Sequence, residues 1–446
     1  MIRLLAGLAL ICGCALSWTA GQAAPAPPAK TIYAGVTVIS PERPVPAQNM
    51  AIVVEGERIT AVEPVSKLTD DQRKGAVAYP GEGMYALPGL IDSHVHLATD
   101  PDRAYAEAEL KREIYAGVTG VRDMAGDARM LADLSRASLI GEIPAPDTFY
   151  SALMAGPEFF TDPRTASAAR GLIPGQEPWL QAITHQTDLP LAVAQARGTF
   201  ASGIKIYADL DGDLVRGIIA EAKRQGFPVW THLQVYPATP YDSLGATSVS
   251  HVCMLATSIL RPGKQRYDHS DDGDFSKLDP NDPEIQRYAR ALAASGTVLD
   301  ATLSLYAEAP KSSKPGRLPG CSRALAAAIT RVIVAQGVPV SAGTDYPAAS
   351  DQPFPSLYSE LDALVRDAGF TPFQAIVAAT RNGAMAAGAT KNYGSLQPGK
   401  YADIVLVRRN PLDDIDNLRS IVLTVKRGVQ YPRTDYHFTP IKGADQ

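Results

Sequence analysis

Between residues 89 and 344, eight short apolar runs alternate with stretches of helical periodicity, and this alternation constrains the fold more than any other feature. A strand followed each time by a helix is typical of a parallel sheet with crossover helices, and eight such units close into a barrel of about 250 residues. The sequence therefore predicts an α/β fold with a (β/α)8 TIM-like barrel. The predicted strands are 89–94, 117–122, 148–154, 203–207, 228–232, 247–252, 297–301 and 338–344.

Both ends of the chain show a different pattern, in which short β-rich runs alternate with turn residues. Such runs indicate antiparallel strands. The sequence therefore predicts a small β-sandwich domain built from residues 30–86 and 386–438, with the barrel over residues 87–385. The β-rich runs are 31–33, 36–39, 50–54 and 59–62 before the barrel, and 403–407 and 421–426 after it.

The amino terminus has a basic start at Arg3 and a nearly uninterrupted apolar run over residues 4–20, followed by small residues and prolines. This pattern is typical of a secretory signal peptide, here over residues 1–24. We therefore expect a secreted or periplasmic mature protein. No second apolar stretch of about 18 residues occurs, so we expect no membrane span in the mature chain. Lipidation at Cys14 is the less favoured alternative, because the apolar run continues past it.

Composition narrows the range of partners. Hydrophobic residues make up 46% and charged residues 20% of the 446 positions, as in globular proteins. There are 42 Lys and Arg against 47 Asp and Glu, with no long basic block, so nucleic acid is not an expected partner. A small molecule or short peptide is expected instead, and homo-oligomer formation stays open. Cys253 and Cys321 remain after signal cleavage, enough for one bridge but not for a disulfide framework.

Four of the seven histidines fall at the ends of predicted strands. His94 and His96 lie at the end of the first, and because residues two apart on a strand point to the same face, both imidazoles would enter the barrel mouth. His232 ends the fifth strand and His251 lies at the end of the sixth. Imidazole is a common metal ligand, and barrel enzymes build their sites at this rim, so the grouping predicts a metal site.

Three further residues are candidates at the same rim. Lys205 lies in a short apolar strand, where a buried ammonium is costly unless it is paired or chemically altered. Carboxylation would make the side chain an anionic oxygen ligand. The alternative is that the side chain snorkels to solvent. Asp345 follows the eighth strand, a position where an isolated Asp is more often a helix N-cap. Tyr207 could bind a substrate carboxylate or oxyanion, or simply cap the barrel core.

The ordered set of motifs resembles the amidohydrolase superfamily of metal-dependent hydrolases, and most closely its imidazolonepropionase-related and prolidase-like members. The matching pieces are the segment 87–96, Lys205, His232, His251, the segment 343–345 and the tail 394–406. The sequence departs from the family pattern at Ser250, because many relatives carry Glu immediately before the strand-six histidine. This difference puts in doubt the hydrogen bond that such a Glu would make to the residues behind the metal ligands.

The resemblance implies a binuclear centre. His94, His96 and Asp345 would hold one divalent ion and His232 and His251 the other, with carboxylated Lys205 and a hydroxide bridging them. Carbon dioxide would supply the carboxylate on the lysine. Zinc suits these nitrogen and oxygen ligands best, and Mn²⁺ and Fe²⁺ are the alternatives. Asp345 would act as general base and then as general acid.

The resemblance also implies a reaction. The expected function is amide hydrolysis by a secreted metallopeptidase, with a dipeptide or N-acyl amino acid as substrate. Lactone, organophosphate or carboxylic ester hydrolysis on the same metal site is the alternative, and a catalytically degenerate binding protein is a remote one. No carboxylate follows His232 directly, which argues against single-metal deamination. Inserts at 156–188 and 255–282 should lie on the substrate face of the barrel.

Overall fold

The computed structural model describes residues 30–266, 273–306 and 320–441, within which eighteen strands are found. The predicted signal peptide at residues 1–24 lies outside these ranges, as does the middle of the insert predicted at 255–282. The strands are β1 Lys30–Val38, β2 Ala47–Glu55, β3 Arg58–Pro64, β4 Val77–Pro80, β5 Tyr85–Pro88, β6 Leu90–Val95, β7 Val118–Asp123, β8 Asp147–Ala155, β9 Gln176–Glu177, β10 Leu180–Ala182, β11 Gly203–Ile206, β12 Val229–His232, β13 Ser248–Ser250, β14 Val298–Asp300, β15 Val340–Ser341, β16 Ile404–Val407, β17 Ile421–Lys426 and β18 Val429–Pro432.

Twelve α-helices occur in the same part of the chain. Most of them follow a barrel strand and cover its outer side. A π-helical segment at Ala378–Asn382 joins the last two. The helices are α1 Asp70–Arg73, α2 Arg103–Tyr115, α3 Ala128–Leu139, α4 Pro163–Ala169, α5 Leu189–Gly198, α6 Gly212–Arg224, α7 Cys253–Leu260, α8 Pro283–Ser295, α9 Arg323–Ala335, α10 Leu357–Arg366, α11 Pro372–Val377 and α12 Gly383–Ala386.

Eight parallel strands form the barrel, paired in the order β6-β7-β8-β11-β12-β13-β14-β15. The barrel closes between its first and last strands, where the Ser93 N–H donates to the Ala342 carbonyl at 2.8 Å. Every strand is buried on both faces, which explains why the sequence shows continuous apolar runs rather than alternation. The predicted (β/α)8 barrel is confirmed, and each of the eight predicted strands overlaps an observed one.

Aspartates mark the starts of several barrel helices. Asp102, Asp127, Asp188 and Asp211 each accept a hydrogen bond from a backbone N–H two or three residues further on, which is the role of an N-cap. These caps fix where each helix begins. The residues between a strand end and the following cap are then left to form the rim of the barrel.

The small domain is one eight-stranded sheet of order β18-β17-β16-β5-β1-β2-β3, with β4 also paired to β1. Residues from both chain ends share its core, including Tyr33, Ile52, Leu406 and Val425. The predicted strands pair antiparallel, β1 with β2, β2 with β3 and β16 with β17, but the sheet is mixed, because β4 and β5, which the sequence did not predict, run parallel to β1. The turn at α1 carries the chain back across the sheet, and such a short crossover leaves no strong pattern in the sequence.

A buried ion network joins the small domain to the barrel. The Asp147 carboxylate on β8 lies 3.0 Å from Lys426 Nζ and 2.7 Å from Arg427 Nε, both at the end of β17. The Tyr393 hydroxyl also donates to Asp147 at 2.7 Å. Burial raises the pKa of Asp147, but the two cations outweigh this effect and leave it below its usual value.

The two predicted inserts contain more regular structure than the sequence indicates. The first carries α4 and the β9–β10 hairpin, and β10 pairs in parallel with β8. The second begins with α7. The helices α4 and α7 are seven and eight residues long, and helices of that length depend on tertiary packing rather than on local sequence. Cys253, the first residue of α7, forms a disulfide with Cys321, and their Cα atoms are 6.1 Å apart.

None of the helices in the described residues combines the length and the apolar character needed to span a bilayer.

Candidate metal centre and substrate cavity

The two histidines of β6 meet the carboxylate that follows β15. His94 Nε2 and His96 Nε2 each lie 3.0 Å from Asp345 Oδ1. On its other side, His94 Nδ1 lies 2.7 Å from the Asp300 carboxylate. Because an ionised carboxylate only accepts hydrogen bonds, His94 Nδ1 is placed to donate to Asp300, and Nε2 is the atom that would bind a metal ion. The potential ligand atoms of His94, His96 and Asp345 all lie within 4.8 Å of one another.

His232 and His251 stand beside this cluster. The His251 ring centroid is 4.9 Å from that of His94 and 4.9 Å from that of His232. His251 Nδ1 lies 3.1 Å from Thr302 Oγ1. Burial lowers the pKa of His251 to about 3 and holds the pKa of His232 well below its usual value, with the Lys205 charge adding to the effect at His232. Both rings are therefore neutral at ordinary pH, the form in which imidazole binds a metal.

Lys205 lies on β11, next to the strand β12 that carries His232, and is only 1% exposed. Its Nζ has no hydrogen-bond partner among the described residues. Burial, and then the nearby charge of Arg122, lower the pKa of its ammonium to about 7. An amine in such a position is a candidate for chemical modification, because a bare ammonium there carries a large desolvation cost.

All six predicted ligands line one cavity of about 490 Å³ at the C-terminal ends of the barrel strands, and Tyr207 lines it as well. Asp345 does not begin a helix, since α10 starts at Leu357, so its alternative role as an N-cap does not apply. The Lys205 side chain does not reach solvent, so the snorkelling alternative does not apply either.

Two residues that line this cavity have a strained backbone conformation. His251 and Asp345 have φ angles of 74° and 65°, in the left-handed region that residues other than glycine rarely adopt. Each such residue costs on the order of 1–3 kcal/mol, and the surrounding structure must hold it. Gly343 is required for a different reason. A Cβ at this position would lie 2.3 Å from Asp300 Oδ1 and 2.9 Å from His94 Cβ.

Sequence analysis missed the network that supports His94. Asp300 on β14 is fully buried and accepts hydrogen bonds from Ser250 Oγ at 3.0 Å and Arg122 Nη2 at 3.2 Å, besides its contact with His94. Arg122 on β7 is also fully buried and donates to Ser248 Oγ. The doubt raised by Ser250 is thereby answered, because the supporting carboxylate comes from the next strand of the barrel. The sequence feature that could have identified Asp300 is its position inside the predicted apolar strand at 297–301.

A second group of side chains lies beside His232. The Tyr207 ring centroid is 4.0 Å from the His232 ring and 4.5 Å from the Phe159 ring. The Tyr207 hydroxyl accepts a hydrogen bond from Arg164 Nη2 at 3.3 Å. Arg164 lies in α4, in the insert at 156–188, and also lines the cavity. Sequence analysis did not single out Arg164, because nothing in a loop sequence shows which cation turns towards the barrel mouth.

The donor set suits divalent metal ions. Four imidazoles and one carboxylate supply the nitrogen and oxygen ligands that zinc prefers, and two of the imidazoles converge with the carboxylate. Lys205 Nζ is buried and has no hydrogen-bond partner among the described residues. A modification that makes this group an anionic metal ligand would account for its burial.

The fold and the donor set together define a (β/α)8 barrel with a candidate metal site at its C-terminal rim. The comparison with protein families makes this specific. The amidohydrolase family model matches residues 85–430, and the chain belongs to that family. It is a hydrolase that acts on C–N bonds, as its sequence predicted.

Individual relatives agree with this assignment. An imidazolonepropionase from Micrococcus luteus is 27% identical over 417 residues, covering 84% of this chain and 91% of that protein. A putative prolidase from Bifidobacterium longum superposes with a TM-score of 0.67 at 24% identity, covering 94% of this chain and 97% of the other. A Xaa-Pro dipeptidase with methionine bound in its active site gives 0.67 at 21% identity, covering 90% and 100%. Because both solved structures are less than 25% identical to this chain, they support the fold and not the activity.

Proposed function

We propose that the protein is a secreted, binuclear metal-dependent hydrolase that cleaves the amide bond of a dipeptide or an N-acyl amino acid. The observation that carries this proposal is the convergence of four histidines, Lys205 and Asp345 on one cavity. Similarity to a putative prolidase and to a Xaa-Pro dipeptidase supports a substrate of this kind.

Two ions would divide the ligands between them. His94, His96 and Asp345 would hold one, and His232 and His251 the other. When bound, the two ions lower the pKa of a water molecule towards neutrality and polarise the scissile carbonyl group. Lys205 would contribute to both as a carbamate, formed when its neutral amine attacks carbon dioxide and releases a proton.

Asp345 is the group best placed to move protons. Burial raises the pKa of its carboxyl group, but the contacts with the surrounding imidazoles, including the hydrogen bonds with His94 and His96, outweigh this effect and hold the pKa well below its usual value, so the carboxylate starts the reaction ionised. Its oxygens would accept the proton of the attacking water and pass it to the leaving nitrogen, because an amine leaves far more readily once protonated. Its left-handed backbone keeps the carboxylate aimed at both β6 histidines.

Amino-acid release from a library of dipeptides and N-acyl amino acids tests the proposal. The mature protein is loaded with zinc and bicarbonate, and Asp345→Asn is compared with Asp351→Asn, an exposed acid in the same loop. We expect release by wild type and by the Asp351 variant, and a loss of at least about 100-fold in the Asp345 variant. Wild type that holds two metal ions and releases nothing would contradict amide hydrolysis. Turnover of lactones or phosphotriesters by the same protein would then favour the esterase alternative.

Secretion is part of the proposal. The pattern at residues 1–24 supports it, and so does the disulfide between Cys253 and Cys321, because such bonds persist in oxidising compartments. Amino-terminal sequencing of protein recovered from the periplasm or medium tests this, and we expect a terminus near residue 24 or 25. An intact Met1 on protein found only inside the cell would contradict it.

A further inference from the structure

A guanidinium lines the same cavity as the predicted metal ligands. Arg164 Nη2 donates to the Tyr207 hydroxyl at 3.3 Å, and the Tyr207 ring lies 4.0 Å from the His232 ring. A short path of contacts therefore leads from a ligand-bearing strand to Arg164. The insert at 156–188 thereby brings an arginine, paired with an aspartate of the same insert, to the mouth of the cavity.

Asp162 holds this guanidinium in place. Its carboxylate lies 3.1 Å from Arg164 Nε and 2.9 Å from Arg164 Nη2, and the same carboxylate caps α4 by accepting from the Arg164 backbone N–H at 2.9 Å. Two hydrogen bonds to one carboxylate fix the plane of a guanidinium. An arginine whose orientation is fixed loses less entropy on binding a second anion.

The charge at this position is complementary to a carboxylate. Arg164 and Lys205 are the cationic residues among the described residues that line the cavity, and Lys205 becomes anionic if it carries a carbamate. In an N-acyl amino acid the free carboxylate is two bonds from the amide nitrogen. A carboxylate so close to the scissile bond needs a cation near the ligand cluster, and Arg164 is linked to that cluster through Tyr207.

An apolar recess adjoins the same guanidinium. Arg164 and Tyr207 line both the main cavity and this recess, whose other walls include Met124, Phe159 and Leu180. The side chain next to a carboxylate bound at Arg164 would point into these apolar walls. Burying an aliphatic side chain there would remove apolar surface from water and so favour binding.

We infer that Arg164 binds the free carboxylate of the leaving amino acid and thereby restricts the enzyme to substrates that end in an apolar amino acid with a free carboxylate. This inference rests on the proposed amide hydrolysis and names its substrate class. Arg164 is a specificity-determining residue in it, held by Asp162.

A matched pair of substrates tests the inference, N-acetyl-L-leucine and its carboxamide, N-acetyl-L-leucinamide. Both are assayed for kcat/KM and, by isothermal titration calorimetry, for Kd, with wild type and with Arg164→Gln, Arg164→Lys and Arg170→Gln. Arg170 is an exposed cation at the end of the same helix and serves as the control. A charge-assisted hydrogen bond corresponds to about 10- to 100-fold in affinity.

We expect wild type and Arg170→Gln to prefer the free carboxylate by at least 10-fold in kcat/KM or in Kd. Arg164→Gln should lose most of that preference through KM, and Arg164→Lys should keep part of it. A preference that survives Arg164→Gln, or a wild type without any preference, would overturn the inference. Absence of turnover with an Arg164-dependent difference in Kd would reject amide hydrolysis and still support the carboxylate site.

Discussion

Asp300→Asn is the change that most sharply tests how the metal site is held. The carboxylate of Asp300 accepts from His94 at 2.7 Å, Ser250 at 3.0 Å and Arg122 at 3.2 Å, and it is fully buried. All three contacts are made to Oδ2, so the amide oxygen of an asparagine could still accept there, but the substitution removes the negative charge that strengthens the contacts with His94 and Arg122. Weakening such a supporting hydrogen bond behind a predicted metal ligand costs about 10- to 100-fold in metal affinity.

Stability should fall as well. Arg122 is fully buried, and its guanidinium keeps no other carboxylate at salt-bridge distance among the described residues. Leaving a buried charge without its counter-ion costs about 3–5 kcal/mol in the free energy of unfolding. Ser250→Ala is a milder variant, because it removes one neutral hydrogen-bond donor to Asp300. It should lower the free energy of unfolding by about 1 kcal/mol.

Zinc affinity by chelator competition and urea unfolding of the metal-free protein measure the two effects separately. Asp213→Asn, an acid with an 82% exposed side chain on α6, is the matched control and should change neither. If Asp300→Asn kept wild-type zinc affinity and wild-type stability, the assignment of Asp300 as the carboxylate that orients His94 would be refuted. A folded Ser250→Ala variant with slightly weaker zinc binding would support it even if Asp300→Asn fails to fold.

Three further changes probe other parts of the molecule. Gly343→Ala would bring a Cβ within 2.3 Å of the Asp300 carboxylate, so we expect about 1–3 kcal/mol of destabilisation in thermal unfolding and weaker zinc binding; an unchanged melting temperature would contradict the close approach. Asp147→Asn should cost about 3–5 kcal/mol in urea unfolding at pH 7. Because the pKa of Asp147 is lowered on folding, wild type should lose this contribution as pH falls below about 4, and the variant should show a smaller loss. Cys253→Ser removes a bridge between residues 68 apart in sequence and should cost about 4 kcal/mol; equal stability of wild type with and without reductant would argue against the disulfide with Cys321.

The barrel was predictable from the sequence because its strands are buried on both faces. Apolar runs such as the one at Gly203–Ile206 then stand out against the amphipathic helices between them. The histidines were predictable for a related reason. All strands of a parallel barrel end at the same rim, so residues at the ends of predicted strands are expected to lie together. This is why His94, His96, His232 and His251 could be assigned to one site before any distance was known.

The residues that support and flank these histidines were not predictable in the same way. Asp300 and Arg122 pair across non-adjacent strands, and a single sequence does not show which buried charges meet. Arg164 reaches the cavity because α4 folds back over the rim, and α4 is too short to leave a periodic pattern. The parallel pairing of β4 and β5 with β1 was missed because strands of four residues carry little signal.

Titration of the metal-free enzyme with zinc, in bicarbonate and with amino-acid release as the readout, tests the central claim most directly. The account predicts that the rate rises with added zinc and reaches its plateau at two ions per chain, and that Asp345→Asn remains inactive throughout. A plateau at one ion per chain, or amide hydrolysis that persists without any metal, would contradict the binuclear site formed by the four histidines, Lys205 and Asp345.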